Sequence, residues 1–468
     1  MFDNTYLALP ERFYARVKPS FASDPQLLAL NQELAEELSL EGLLGDNQQS
    51  AEFFSGNQLL QGAEPIALAY AGHQFGQFVP QLGDGRAALL GEVIGRDQRR
   101  YDIQLKGSGH TPFSRNGDGK SALGPVIREY LLSEAMHRLG VPTTRALAAV
   151  QTGDIVQREK LFPGGVFTRV AASHIRVGTF EFFAARSDKQ ALRALASYAI
   201  QRHYPDVSSD DYLAFFDGVA ENQAVLIAHW MDVGFIHGVM NTDNTSIAGE
   251  TLDYGPCAFM DEFRFDKVFS SIDHGKRYAY GNQARIAQWN LARLAECLLL
   301  LDDDQAAFEA VLEQFPVRFD DLYRTRMAAK LGFSTHEEED GQLIKEWLEH
   351  LQKNALDYTL SFRRLANCID SKTASEFGEF GARWKQRLAR QPDDVESVRS
   401  RMNTVNPLFI ARNHQVEHAI QGAIEGDLTV FRELDLVLKN PFDDQPTYSQ
   451  YAEPPTPSER VSQTFCGT

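Results

Sequence analysis

The sequence predicts a mixed α+β fold of two lobes followed by an additional, mostly helical C-terminal region. Three observations carry that prediction. Between residues 61 and 180, glycine-rich turns separate short runs in which apolar and polar side chains alternate, as strands with two different faces require. From residue 189 to 232 the apolar residues recur at helical spacing instead. Beyond residue 284 that helical periodicity continues to about residue 439, and a chain of 468 residues is long enough for two or three packed units.

Composition narrows the function classes. Hydrophobic residues at 43% and charged residues at 24% describe an ordinary globular protein. A formal net charge of −18 argues against broad nucleic-acid binding and against attraction to anionic membranes. The most apolar helical run, residues 291–301, is interrupted by Arg293 and Glu296 and is far short of a membrane span. The first residues, MFDNTYLALPERFYARVK, lack a basic start followed by an apolar run, so no secretory signal is read and a cytoplasmic location is expected. Cys257, Cys297, Cys368 and Cys466 are too scattered for a disulfide framework or a zinc site. Within this acidic chain, residues 84–128 carry a local excess of lysine and arginine, which suits either a pocket for a compact polyanion or a solvated hairpin.

Taken in order, residues 1–60 read as a helical lead-in, because Leu27, Leu30, Leu34 and Leu38 fall at spacings of three and four after an Asp-Pro start. Residues 70–80, YAGHQFGQFVP, read as a buried turn packed by Phe75 and Phe78, in preference to a catalytic role for His73. Gly83 and Gly85 then flank Asp84 ahead of a strand; glycines there let backbone N–H groups approach a phosphate, and Arg86 adds a cation. In YDIQLKG, alternation puts Tyr101, Ile103 and Leu105 on one face and Asp102, Gln104 and Lys106 on the other. The loop after Lys106 is too long for an idle connection, and Asp118 and Gly119 are its expected ligand-facing residues. A helix from Pro125 to Leu139 places Glu129 on an apolar face with Leu132 and Met136, a buried carboxylate that needs a cation, for which Lys106 is the candidate. A strand and a bend bring Arg169 and Arg176 seven residues apart, where a surface salt bridge is the expectation for either, and amphipathic helices follow over 189–203 and 211–232. Residues 284–439 read as a packing region in which Asn406, Arg412, Asn413 and His414 crowd one helix start, either capping it or docking it on the catalytic part. Residues 440–468 form a Pro-rich, extended tail.

The densest chemistry lies in residues 234–256, GFIHGVMNTDNTSIAGETLDYGP. Asn244 and Asp253 offer two hard oxygen ligands to a divalent cation such as Mg2+, with Asp243 beside them as a candidate base; a chance hairpin carrying surface acids is the other reading of this stretch. The order of parts is a glycine turn, strand Lys106, helix Glu129, a His-Gly segment with a late Asn, then Asp-aromatic-Gly. It is the order of the protein kinase-like fold, with 61–180 as the N-lobe carrying the nucleotide loop and 181–283 as the catalytic and metal-binding segment. Counting from His237, the metal-binding Asn falls at Asn244 as in kinases, but the base position is Val239, which accepts no proton. An ordinary kinase mechanism is disfavoured, and Asp243 is the nearest replacement.

The motifs YAGHQFGQFVPQLGDGRA, QLKGSGHTPFSRNGDGK, HGVMNTDNTSI, LDYGP, NPLFIARNH and TFCGT resemble the selenoprotein O family, called YdiU in bacteria, from the first helix to the last residues. The resemblance implies a pseudokinase that acts as a protein adenylyltransferase, moving AMP from ATP to hydroxyl side chains of other proteins. It implies Lys106 at the phosphates with Glu129 positioning it, and Gly83, Gly85 and Arg86 shaping the nucleotide loop. Asp118 and Gly119 would meet ATP at its other end, and Arg169 and Arg176 would bind the phosphates. Asn244 and Asp253 would hold Mg2+ or Mn2+, with Asp243 as the proton acceptor. A redox residue near the C-terminus is also implied, the position of Cys466; a Cys257–Cys466 disulfide is one expectation and two unrelated thiols the other. UMP transfer, ordinary phosphoryl transfer and nucleotide binding without catalysis are the alternatives.

Overall fold

The computed structural model describes residues 2–42, 44–370 and 377–465. The N-terminal segment supplies two strands, β1 (Tyr14–Arg16) and β2 (Gln26–Leu30), and two helices, α1 (Gln32–Glu37) and α2 (Asn47–Ser55). This corrects the single helix expected through Leu27 and Leu38. The Asn31 side chain accepts from the Leu34 N–H and starts the helix there. The residues before it satisfy their backbone groups by pairing with a distant strand, Leu27 opposite Val150 and Leu30 opposite Ala148.

Next come β3 (Ile66–Leu68), a small hairpin of β4 (Gly72–Gln74) and β5 (Gln77–Val79), then β6 (Ala87–Ile94), β7 (Arg100–Lys106) and β8 (Ser121–Ala122). Helix α3 (Leu123–Arg138), β9 (Arg145–Gln157) and β10 (Leu161–Ala171) complete this part. Among the described residues, eight strands form one antiparallel sheet in the order β1-β3-β6-β7-β10-β9-β2, with β8 paired to β10. Both faces are covered. Ile103 and Leu105 pack with Leu34 of α1 and Phe54 of α2, while Leu123, Ile127 and Leu131 of α3 pack with Leu89 and Phe167 on the other side. The expected polar face of β7 is therefore buried too, and Asp102 and Gln104 answer to partners inside the protein. The hairpin expected as a buried turn leaves Phe78 39% exposed and only Phe75 packed inward, because the two residues lie on opposite sides of the reversal.

Helices α4 (Val177–Ala184), α5 (Lys189–His203) and α6 (Tyr212–Asp232) follow, then β11 (Phe235–Ile236) and β12 (Ala258–Phe259), whose pairing brackets the loop between them. The helical region runs through α7 (Gln283–Leu298), α8 (Gln305–Lys330), α9 (Asp340–Lys353), α10 (Tyr358–Asn367), α11 (Gly378–Leu388), α12 (Val395–Val405), α13 (Asn413–Glu425) and α14 (Thr429–Leu438). It does more than pack on itself. α13 and α14 lie along α3, where Phe431 meets Tyr130 with ring centres 5.6 Å apart. Arg412 docks the start of α13 and makes no side-chain cap: it donates to Asp261 at 2.5 Å, to Asp357 at 2.8 Å and to the Ala452 carbonyl at 2.9 Å. The tail makes a 3-10 turn at Pro446–Tyr451, and further on the Thr464 hydroxyl donates to the Pro256 carbonyl at 2.5 Å. Among the described residues no helix is long and apolar enough to cross a membrane.

Candidate active site

The sheet, α3 and the loop between β11 and β12 enclose a cleft of about 1330 Å³, which exceeds the ~300–1,000 Å³ typical of small-molecule pockets. Glu417 and Ile420 of α13 and Val461 and Phe465 of the tail close its rim. On one wall the charged side chains form a knot. β7 ends with Lys106 pointing at α3, so its Nζ donates to Glu129 Oε2 at 2.7 Å and to Asp253 Oδ1 at 2.6 Å. β10 lies beside β7 with Arg169 opposite Gln104, which brings Arg169 Nη2 to Glu129 Oε1 at 2.5 Å and Asp253 Oδ1 at 2.6 Å. Arg176, just ahead of α4, donates from Nη1 to Asp253 Oδ2 at 2.8 Å and to the Asp243 carbonyl at 2.5 Å, and its guanidinium sits 4.6 Å from the centre of the Tyr70 ring.

Burial pushes the Asp253 carboxyl up, but Arg169, Lys106 and Arg176 together outweigh it and hold the group well below the usual carboxylate range. Glu129 follows the same pattern, raised by burial and pulled lower by Arg169 and Lys106. Asp253 has φ of +64°, a left-handed conformation that Asp tolerates better than most residues and that turns its carboxylate back toward the three cations.

The opposite wall is built differently. Asp243 lies in a one-turn 3-10 segment, Thr242–Asn244. Its Oδ2 accepts from Gln74 Nε2 at 3.2 Å, and its Oδ1 is buried with no hydrogen-bond donor against it. Burial raises this carboxyl to about 6, against weaker lowering by Gln74 and Arg176. Val239 also lines the cleft, so the kinase base position faces the site with an apolar side chain.

Asn244 and Asp253 suit a hard cation. The Asn244 amide nitrogen donates to the Val239 carbonyl at 3.0 Å, so a cation would meet the side-chain oxygen, and Asp253 supplies a carboxylate on the same cleft. Among the described residues no cluster of three or more His, Cys, Asp or Glu could hold a metal without help. A pair of protein oxygens completed by substrate phosphates is the usual arrangement for Mg2+ in phosphate chemistry. The Nε groups of Arg169 and Arg176 are buried without an acceptor in the protein, which fits an anionic ligand.

The description "Protein adenylyltransferase SelO" belongs to the family profile that matches residues 1–439. The protein nucleotidyltransferase YdiU of Rhodopseudomonas palustris (strain BisB5) is 55% identical over 486 residues, covering 100% of this chain and 99% of the relative. The proteins of the same name from Bradyrhizobium diazoefficiens and Rhizobium etli are 54% and 53% identical over 100% of this chain, with 99% and 97% of the relatives covered. The chain belongs to the SelO/YdiU family. It is a nucleotidyltransferase.

In this SelO/YdiU chain the cleft gathers Gly83, Gly85, Arg86, Lys106, Asp118, Gly119, Glu129, Arg169, Arg176, Asp243, Asn244 and Asp253. Gly83 has φ of +79°, and a Cβ there would stand 2.4 Å from the Phe113 ring, so the turn admits only glycine. Asp118 is exposed and holds Arg158 through two 2.9 Å bonds, a partner that sequence reasoning missed. Asp84 was also missed as a structural group. It turns inward to accept from the Leu68 N–H and from Gln104 Nε2, both at 3.1 Å, and anchors the glycine turn on β7; Gln104 sharing a face with Lys106 was the available signal. His73 pairs with Glu181, and Thr242 donates to the same carboxylate. Cys257 is fully buried behind the loop, while Cys466 lies outside the described residues, and the disulfide expectation with it.

Proposed function

We propose that this enzyme is a protein adenylyltransferase with a kinase-like, two-lobed architecture, moving AMP from ATP to serine, threonine or tyrosine hydroxyls of other proteins. One observation carries the reading: three cations, the part-buried Lys106 and the buried Arg169 and Arg176, converge at one point of a cleft that also presents Asp243, while the kinase base position holds Val239. The hydroxyl oxygen forms a bond to the α-phosphorus, the bond from that phosphorus to the bridging oxygen breaks, and pyrophosphate leaves with the electron pair. The hydroxyl proton passes to the Asp243 carboxylate, whose burial gives it more affinity for a proton than an exposed aspartate has.

The phosphates of ATP would accept the hydrogen bonds that Asp253 now takes from the three cations, leaving Asp253 with Asn244 to hold Mg2+ or Mn2+. When bound, the cation would stabilise charge on the phosphate oxygens. Glu129 keeps Lys106 and Arg169 pointed into the cleft throughout, and Gly83, Gly85 and Arg86 would surround the nucleotide, with Asp118 and Gly119 at its far end.

Incubation with ATP labelled at the α- or the γ-phosphate tests the reading. Label from the α position on protein, with pyrophosphate released, is expected. γ-Label on protein would mean a kinase, no label a binding-only protein, and strong preference for α-labelled UTP a uridylyl transferase.

A further inference from the structure

Asp243 makes its side-chain bond to a hairpin that precedes it by more than 160 residues, and so do its neighbours. The His73 N–H donates to Thr242 Oγ1 at 2.6 Å, Gln74 Nε2 donates to Asp243 Oδ2 at 3.2 Å, and the Phe75 N–H donates to Asn241 Oδ1 at 3.1 Å. Three consecutive hairpin residues thus engage three consecutive loop residues. Two side contacts lock the pairing. Glu181 of α4 accepts from the Thr242 hydroxyl and pairs with His73 Nδ1, closing a ring of hydrogen bonds, and the Tyr278 hydroxyl donates to Asn241 Oδ1 at 2.6 Å. The approach is also steric: a Cβ on Gly72 would stand 2.6 Å from Asp243 Oδ1, so the hairpin backbone walls the carboxylate on the side away from Gln74.

We infer that the β4–β5 hairpin is a template that sets the base-bearing loop in register, with Gln74 as the positioning residue for the Asp243 carboxylate. The inference rests on the assignment of Asp243 as the proton acceptor. A carboxylate in the middle of a one-turn segment has two soft torsions and no long helix or strand to fix them. Gln74 on one oxygen and Gly72 against the other fix its plane, and the backbone bonds from His73 and Phe75 fix the loop beneath it. Gln74 lines the cleft without belonging to the cationic wall, so it is placed to affect the orientation of the base separately from the grip on phosphate.

Gln74→Met keeps the side-chain volume and loses the donor, and Thr242→Val keeps the shape and opens the ring. For both, kcat for transfer from α-labelled ATP is expected to fall about 10- to 100-fold, with KM and Kd for ATP within twofold of wild type. Amide exchange over residues 239–245 should quicken while exchange in α3 and α6 is unchanged. A kcat within threefold of wild type, or a loss carried by KM, overturns the inference. If the wild-type protein transfers no α-label, it is the adenylyl reading that fails. The template is then judged by exchange alone: faster exchange confined to 239–245 upholds it, and unchanged exchange rejects it.

Discussion

Asp243 and Asp253 are ten residues apart on one loop and face one cleft, yet the protein treats them in opposite ways. Asp253 is half-buried among three cations and is driven well below its ordinary pKa. Asp243 is buried against a neutral amide on one oxygen and has no hydrogen-bond donor on the other, and is driven up to about 6. Desolvation acts on both in the same direction; the sign of the outcome is set by whether opposing charge is near enough to outweigh it. One wall is therefore organised by charge and suited to gripping phosphate. The other meets the Asp243 carboxylate with one neutral amide and close packing, and leaves it with an appetite for a proton.

The largest test of that contrast is Asp253→Asn. Transfer should fall by about 1,000-fold or more, since the charge on the leaving phosphates loses its support. The folded protein should also lose on the order of 3 kcal/mol in the absence of nucleotide, because Lys106 and Arg169 are left with Glu129 alone and Arg176 with Asp84 at 4.0 Å. ATP should raise its melting temperature more than it raises that of wild type, as the phosphates take up the orphaned donors. A variant as stable as wild type without ATP would mean that charge does not hold this wall together.

Asp243→Asn should do the reverse. Transfer slows by about 100- to 10,000-fold while ATP affinity stays within a few-fold. Stability at pH 7 should rise by about 1–2 kcal/mol, because a carboxyl raised in the folded state favours its protonated form there and is forced to ionise at neutral pH. That gain should shrink as pH falls from 6 toward 4, where wild-type Asp243 is protonated as well. Destabilisation measured by calorimetry at pH 7 would show that Asp243 is held by attraction, like Asp253, and the contrast would collapse.

What the sequence shows of these walls follows from where their causes lie. Lys106 at the end of an alternating strand and Glu129 on an apolar helix face are each visible locally, and the need of a buried carboxylate for a cation joins them across 23 residues. Arg169 reads locally as a surface salt-bridge residue and is a phosphate candidate only through the family resemblance; its burial and its two hydrogen bonds to Glu129 and Asp253 depend on β10 lying beside β7, which no local pattern states. β2 was read as helix because Leu27 and Leu30 stand three apart, a helical spacing; an irregularity between Leu27 and Ala29 lets both pack on the same core from a strand, and the decision was made by β9, far along the chain. The hairpin bonds to Asn241, Thr242 and Asp243 run largely through backbone N–H groups, which carry no sequence signature at all. Helix α13 and the tail reach the cleft rim for the same reason: Arg412 announces a docking side chain, and only the fold names Asp261 and Asp357 as what it docks on.

A histidine gives the smallest and most independent test of burial against charge. His174 follows β10, is fully buried, and meets Asp102 Oδ2 through both its backbone N–H and Nδ1 at 2.9 Å, while its Nε2 is buried without a partner. Burial lowers its pKa, Asp102 pulls it up and Arg169 pushes it down; burial wins and the imidazole is kept below its ordinary 6.5. Asp102 itself is pushed up by burial and brought down to about 2 by Arg202 and His174, so it stays ionised throughout the window tested. The folded state then binds its proton later than the unfolded chain does, so the stability His174 contributes is complete above pH 6.5 and is lost as pH falls below it. His174→Gln removes that term. Chemical denaturation of wild type and variant between pH 7.5 and 5.5 should show curves that run parallel above pH 6.5 and converge below it, by up to about 1.4 kcal/mol per pH unit. Curves that diverge below pH 6.5 would mean that Asp102 overcomes burial at this position, as the three cations do at Asp253.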